Sequence, residues 1–264
     1  MALLTNFLTR RGAALLATGR IWRDTLRFAG AATITAFTPS AYNSATRTVV
    51  MKQIYFTAWQ ILPGFTLFAA LLSYVLIQIV VTTAARYGLS EYALEVSMRL
   101  LVLELLPLIT ALFVALRSGS AINTEVALMR IHGEIEALED AGVDTLRLEF
   151  MPRVIGGMIS VLALTAACSV LALVLAYLAV YGPQTWSFPD FTRVMGKVFP
   201  APILLGLLLK SLIFGLAVTV IPVTEGQATP RKLFMAPISV LRGMVRLFFA
   251  LMLIEVASLA IKYI

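Results

Sequence analysis

The sequence predicts an all-α integral membrane protein: an N-terminal interfacial amphipathic helix, about five transmembrane helices and a short helix on the cytoplasmic side. Three observations carry that prediction. Residues 53–85 and 154–181 are uncharged throughout, whereas about 20 apolar residues suffice to cross the hydrocarbon core. Hydrophobic residues make up 60 % of the chain and charged ones 13 %, with a mean hydropathy of +0.91, outside the range of soluble domains. The basic residues gather beside the apolar runs. They report orientation in a membrane there, so the net charge of +7 is no sign of nucleic-acid binding.

Residues 1–52 form the first unit. They hold seven basic residues, Arg10, Arg11, Arg20, Arg23, Arg27, Arg47 and Lys52, against one acid, Asp24. At 100° per residue Arg20, Arg23 and Arg27 share one helical face, while Leu15, Trp22, Leu26 and Ala29 gather on another. That is the pattern of a helix lying along a membrane with its arginines toward anionic headgroups. Arginine pairs interrupt the early apolar segments, which argues against a cleaved leader.

Residues 53–264 form the second unit. Pro63-Gly64 marks a break before a span of about 65–84, and a short turn around Tyr87 leads to a second span of about 100–117. Glu104 lies inside that second span, where an ionisable group costs a few kcal/mol unless paired or hydrated. Pro107, three residues on, opens the helix locally and leaves backbone carbonyls near the acid. Residues 118–121 are small and permit close helix approach. Residues 123–149 are too polar to span; residues 117–153 carry seven acids against four basic residues. Within them Glu134, Ile135, Glu136, Leu138, Glu139 and Asp140 read as a short amphipathic helix that Gly142 closes.

Spans of about 154–181, 202–223 and 247–261 complete the set, with residues 182–197 as a polar connection anchored by Trp186. Lys210 and Glu255 are further ionisable groups within spans. Five spans put the termini on opposite sides. Counting Lys and Arg alone, residues 1–52, 117–153 and 231–246 hold seven, four and four, against Arg86, Arg99, Arg193, Lys197 and Lys262 on the other side, so the positive-inside rule makes the N-terminus cytoplasmic and the C-terminus external.

No P-loop, nucleophile elbow, HExxH or dinucleotide fingerprint occurs, so no catalytic residue and no cofactor are assigned. His132 is the single histidine and reads as a surface or packing residue; Cys168 is the single cysteine and reads as a small buried hydrophobe. No metal site is assigned. If Glu104 and Lys210 meet, they are compatible with a structural ion pair, a gate or a headgroup site. A secondary transporter using Glu104, Lys210 and Glu255 as an ion relay is an alternative, though no inverted repeat is evident.

The stretch from Glu104 to Arg153 contains ELLPLITAL, LRSGSAINTEVALMR and EIEALEDAGVDTLRLEFMPR, and LLLKSLIFGLAVTVI follows around Lys210. These segments resemble the MlaE/YrbE family, permease subunits of MCE-type lipid ABC transporters, over roughly residues 50–225. The resemblance implies a homodimeric permease in a bacterial inner membrane, without an ATPase motif of its own. A separate cytoplasmic ABC ATPase would bind ATP and Mg, a periplasmic MCE-domain protein would sit on the other side, and phospholipid would be the substrate. It further implies that Glu104, Lys210 and Tyr87 lie near the lipid pocket and that residues 134–140 are the coupling helix. Three positions depart from the pattern. Leu103 stands where relatives of the phospholipid type can carry an arginine, Thr145 replaces the usual proline, and the tail from Ile221 lacks the family's glycine-rich stretch.

Overall fold

The computed structural model describes residues 2–36, 38 and 44–263. Side chains are described for 19–36, 38 and 46–262, so Arg10, Arg11 and Leu15 fall outside the described side chains. Five helical stretches among these residues are long and apolar enough to cross a membrane: Thr46–Arg86, Ser90–His132, Leu146–Tyr181, Ala201–Gln227 and Leu233–Lys262. Each outruns the span expected from sequence. Counting charges ends a span at the first charged residue, but a helix satisfies its own backbone and continues into the headgroup layer.

Helix α1 (Ala2–Ala36) lies beside the bundle. Thr25 and Ala32 are buried and Trp22, Phe28 and Ala29 half-buried, one stripe at helical spacing, while Arg20, Arg23 and Arg27 are exposed. Leu26, expected on the apolar face, is exposed. The apolar stripe is therefore used partly against protein: Phe28 meets Phe150 edge-on with centroids 5.9 Å apart.

The first span joins α2 (Ser44–Ile54), a π turn at Tyr55–Trp59 and α3 (Leu62–Arg86), so it starts well before the expected residue 65. Pro63 sits in the first turn of α3, where its missing N–H costs nothing. The second span is the most interrupted, running through α4 (Ser90–Leu100), a π turn at Leu101–Leu105, α5 (Leu106–Val114), a π turn at Ala115–Gly119 and α6 (Ser120–His132). Helix α7 (Glu134–Asp140) lies between two left-handed glycines, Gly133 at φ 77° and Gly142 at φ 76°. A π turn at Leu146–Phe150 feeds α8 (Met151–Tyr181).

Residues 182–197, expected as a polar connection, contain a helix instead, α9 (Phe188–Val198). Phe191 and Val198 are buried and Val194 and Met195 half-buried, so this helix packs its apolar face on the bundle while Trp186 stays exposed. Tyr177 of α8 meets Phe191 edge-on at 5.3 Å. The last two spans are α10 (Ala201–Gln227) and α11 (Ala236–Tyr263).

The core crossing is α8 against α10, and glycines permit it. A Cβ at Gly215 would stand 2.6 Å from Met158 Cα, and one at Gly157 would overlap the Thr219 methyl. With little hydrophobic gain between helices in lipid, such close backbone approach supplies the packing. Gly119, in the small-residue segment, approaches the same helix: its Cβ would lie 3.3 Å from the Val218 carbonyl oxygen. Replacing Gly215 by Val should lower stability in detergent by about 1–3 kcal/mol through overpacking. Gly64, with nothing within 4 Å of a Cβ, should tolerate Ala. A thermal melt of the two variants beside the parent checks both; equal melting points would remove the crossing from its central place.

Candidate functional site: a four-charge cluster at a membrane cavity

The second span is opened by its own proline. Pro107 has no N–H to offer the Leu103 carbonyl one turn back, and the helix widens into the π turn at Leu101–Leu105. Lys210 Nζ takes that carbonyl, donating to Leu103 O at 3.2 Å. The same ammonium donates to Glu104 Oε2 at 2.6 Å and stands 2.7 Å from Glu255 Oε2, an ion pair without hydrogen-bond alignment. Lys262 Nζ then donates to the second oxygen of Glu104, Oε1, at 2.6 Å. The result is an alternating chain, Glu255–Lys210–Glu104–Lys262, built from three spans. Two cations and two anions cancel, which lets four charges share a low-dielectric site.

The chain of charges borders a cavity of about 560 Å³, lined by Leu103, Gly206, Leu207, Ile254 and Ser258 as well as by Glu104, Lys210 and Lys262. Apart from the charges its wall is almost wholly apolar. It opens between α10 and α11, where the lining residues Leu209 and Ile261 are exposed. A second cavity of about 370 Å³, bordered by α8 and α10, has no charged residue in its lining. The first cavity alone of these two combines apolar volume with ionised groups, as a site for an amphipathic molecule requires.

Of the residues singled out from sequence, Leu103, Glu104 and Lys210 come together here. Tyr87 does not. It caps the end of α3 and is exposed, outside the cavity lining. Glu255 joins the cluster it was grouped with in the ion-relay alternative. Lys262 was not singled out from sequence. The signal available was its spacing: Lys262 follows Glu255 by seven residues, two helical turns, on one face of α11.

At the other end of the bundle, the short acidic helix is held by its own side chains. Ile135 is buried with Ile122, Val126, Phe150 and Val223. Glu136 pairs with Arg130 of α6 and, at 2.9 Å, with Arg231 of the α10–α11 connection. Both had been assigned to a partner contact; here they anchor the helix. Leu138 is half-buried, while Glu134, Glu139 and Asp140 are exposed. Thr145, the departure from the family's proline, donates to Glu139 Oε1 at 3.3 Å, and Asp144 Oδ1 accepts from the Arg147 N–H at 3.3 Å.

Two buried polar clusters went unread from sequence. Arg153 bridges Glu149 at 2.6 Å and Glu125 of α6 at 2.8 Å. Glu225 of α10 pairs with Arg246 and, at 3.4 Å, with Arg242 of α11. Arg246 also donates to Thr25 of α1 at 3.0 Å and lies over the Trp22 ring at 5.3 Å. Beside it Ser239 donates to Asn123 Oδ1 at 3.2 Å. These clusters tie α1, α6, α8, α10 and α11 together around the base of α7.

The family profile described as Permease MlaE matches residues 50–261. The chain belongs to the MlaE permease family. Similar proteins include a probable ABC transporter permease of Rickettsia felis, 26 % identical over 200 residues, covering 75 % of each chain. Another from Rickettsia prowazekii is 25 % identical over 179 residues, 67 % of this chain and 69 % of its own. The intermembrane phospholipid transport system permease protein MlaE of Haemophilus influenzae is 32 % identical over 157 residues, 52 % of this chain and 58 % of its own. The protein is thus a multi-pass membrane permease of the MlaE family, and the four-charge cluster lies inside the matched region except for Lys262, one residue beyond it.

Replacing Lys210 by Met in this permease leaves two carboxylates buried without their shared cation, and should cost about 3–5 kcal/mol. Neutralising all three, Glu104→Gln with Lys210→Met and Glu255→Gln, should recover most of that loss. Melting curves of the single and triple variants decide it. A triple variant as unstable as the single one would show that lost packing, and not unpaired charge, governs the site.

Proposed function

We propose that this chain is the transmembrane subunit of an ATP-binding-cassette transporter. It moves phospholipid between a bacterial inner membrane and a periplasmic MCE-domain protein, as a homodimer. A separate cytoplasmic ATPase binds ATP and Mg and supplies the energy. The observation that carries this reading is the ion cluster on the wall of an apolar cavity within the spans. A molecule with a polar phosphate-bearing end and two hydrocarbon chains matches such a site at both ends. Membership of the family and the printed function of the Haemophilus influenzae relative support the same substrate class.

The exposed acids of α7 give the ATPase its contact. Glu134, Glu139 and Asp140 face outward from a helix whose other side is fixed by Ile135 and Glu136. The positive-inside count puts this end in the cytoplasm and the end bearing α9 in the periplasm. There the exposed Trp186 and the basic residues Arg193 and Lys197 of α9 are available to a periplasmic partner.

The test is mass spectrometry of the proteins and lipids that co-purify with this chain in mild detergent. An ATPase subunit and phospholipid are expected, with ATP hydrolysis stimulated by added phospholipid. Glu134→Lys with Asp140→Lys should cut ATPase recovery about tenfold, the loss of one or two charge-assisted contacts, while insertion and lipid retention persist. Unchanged recovery would remove α7 from the coupling contact. Proton-driven uptake by this chain alone in liposomes would overturn the ABC reading in favour of a secondary transporter.

A further inference from the structure

The four charges of the cluster are not equivalent. Side-chain exposure is 4 % at Lys210, 10 % at Glu255 and 11 % at Glu104, then 22 % at Lys262. Exposure is lowest at Lys210, inside the chain of charges, and highest at one end, and that end is a cation on the cavity lining. Lys210 is held three ways, by Glu104, Glu255 and the Leu103 carbonyl. Such a lysine cannot turn to a new anion without weakening a buried pair. Lys262 occupies the last turn of α11, where the helix dipole favours a positive charge. Its four-carbon stem gives it reach. Withdrawing it from Glu104 leaves that carboxylate still bonded to Lys210.

We infer that Lys262 is the headgroup-selecting residue of this permease: its ammonium exchanges the Glu104 carboxylate for the phosphate of an entering lipid. Of the two lysines in the cluster, Lys262 is the more exposed and leaves no carboxylate without a cation when it turns away. An incoming phosphate that displaced Glu255 from Lys210 would strand that carboxylate in a dry site, and one that displaced Glu104 would have to reach a cation whose side chain is only 4 % exposed. One that takes Lys262 meets a cation at the rim, and trades one charge-assisted bond for another. A lipid without phosphate has nothing to replace the Lys262–Glu104 pair and must leave it closed. Selection thus follows from the cost of opening a pair that only an anion can re-form, a repulsive element against neutral lipids as well as an attraction for charged ones.

This inference rests on the phospholipid reading above, and the experiment separates the two. The full-length permease is equilibrated in mixed micelles holding equal amounts of dioleoylphosphatidylglycerol and dioleoylglycerol, which differ by the phosphate headgroup. The retained lipids are then quantified by mass spectrometry. The parent should enrich the phospholipid. Lys262→Gln should lower the enrichment about tenfold, the scale of one charge-assisted hydrogen bond, and Lys262→Arg should keep it. Glu104→Gln should move the ratio the other way, because it releases Lys262 from its competitor. That variant also carries the test if Lys262→Gln does not fold. A parent without enrichment would overturn the phospholipid reading and this inference with it. A parent that enriches phospholipid, with Lys262→Gln at the parent ratio or Glu104→Gln no higher than the parent, would overturn the inference alone.

Discussion

A lysine in the interior of a membrane protein must be neutralised by groups that its own helix cannot supply. In this fold that requirement is met at Lys210, which draws one carboxylate from the second span, another from the last, and a backbone carbonyl released by a proline. Each partner constrains a helix. The second span must be opened near Pro107 so that Leu103 O is free, and α11 must be rotated so that Glu255 faces α10. Helix α10 must in turn approach both closely. The ion cluster is therefore a statement about helix orientation as much as about charge. Its net neutrality keeps it tolerable in a low-dielectric setting.

Close approach is where glycine enters. Gly157 and Gly215 let α8 and α10 cross nearly backbone to backbone, and Gly226 and Gly243 do the same beside Asn123, where an added Cβ would collide with α6 atoms. Polar side chains then fill the narrow gaps, as the Asn123–Ser239–Thr229 hydrogen bonds do. Packing and polar pairing are consequently concentrated on the same element. Helix α10 carries Lys210, Gly215, Thr219, Glu225 and Gly226, and it touches α1, α5, α6, α8 and α11.

The number and order of the spans were legible in the sequence because hydropathy is a sum over some twenty residues and survives local irregularity. The family segment was legible for a different reason: residues 104–153 join an acid–proline pair, a small-residue run and an acidic helix in one order. What was not legible depended on pairing across spans. Glu136 reads as an outward acid in its own helix; only the fold brings Arg130 and Arg231 to it. Lys262 reads as a flanking charge until α11 is placed against Glu104. Residues 182–197 read as a polar connection because their apolar residues are few, yet three of them, Phe191, Val194 and Met195, fall with Val198 on one face of α9 and pack on the bundle. Tyr87, named from the family resemblance, caps α3 and is exposed, outside the cavity lining.

The second span joins the two places where this permease has chemistry. From Ser90 to His132 it is helical throughout, with Glu104 toward one end and Gly133 and α7 beyond the other. Two π turns interrupt it, one at the ion cluster and one at Gly119 against α10. A regular helix would transmit a push along its axis and little else. A π turn widens the helix by one residue and so offsets the residues on either side of it relative to one another. A rotation at Leu101–Leu105 would swing Glu104 with respect to Lys210 and Lys262, while α6 remains fixed through Asn123 and through Glu125 to Arg153. The segment that carries α7 is thereby connected to the cavity by one helical span with two π turns. Those turns coincide with the buried charge and with a close approach to α10.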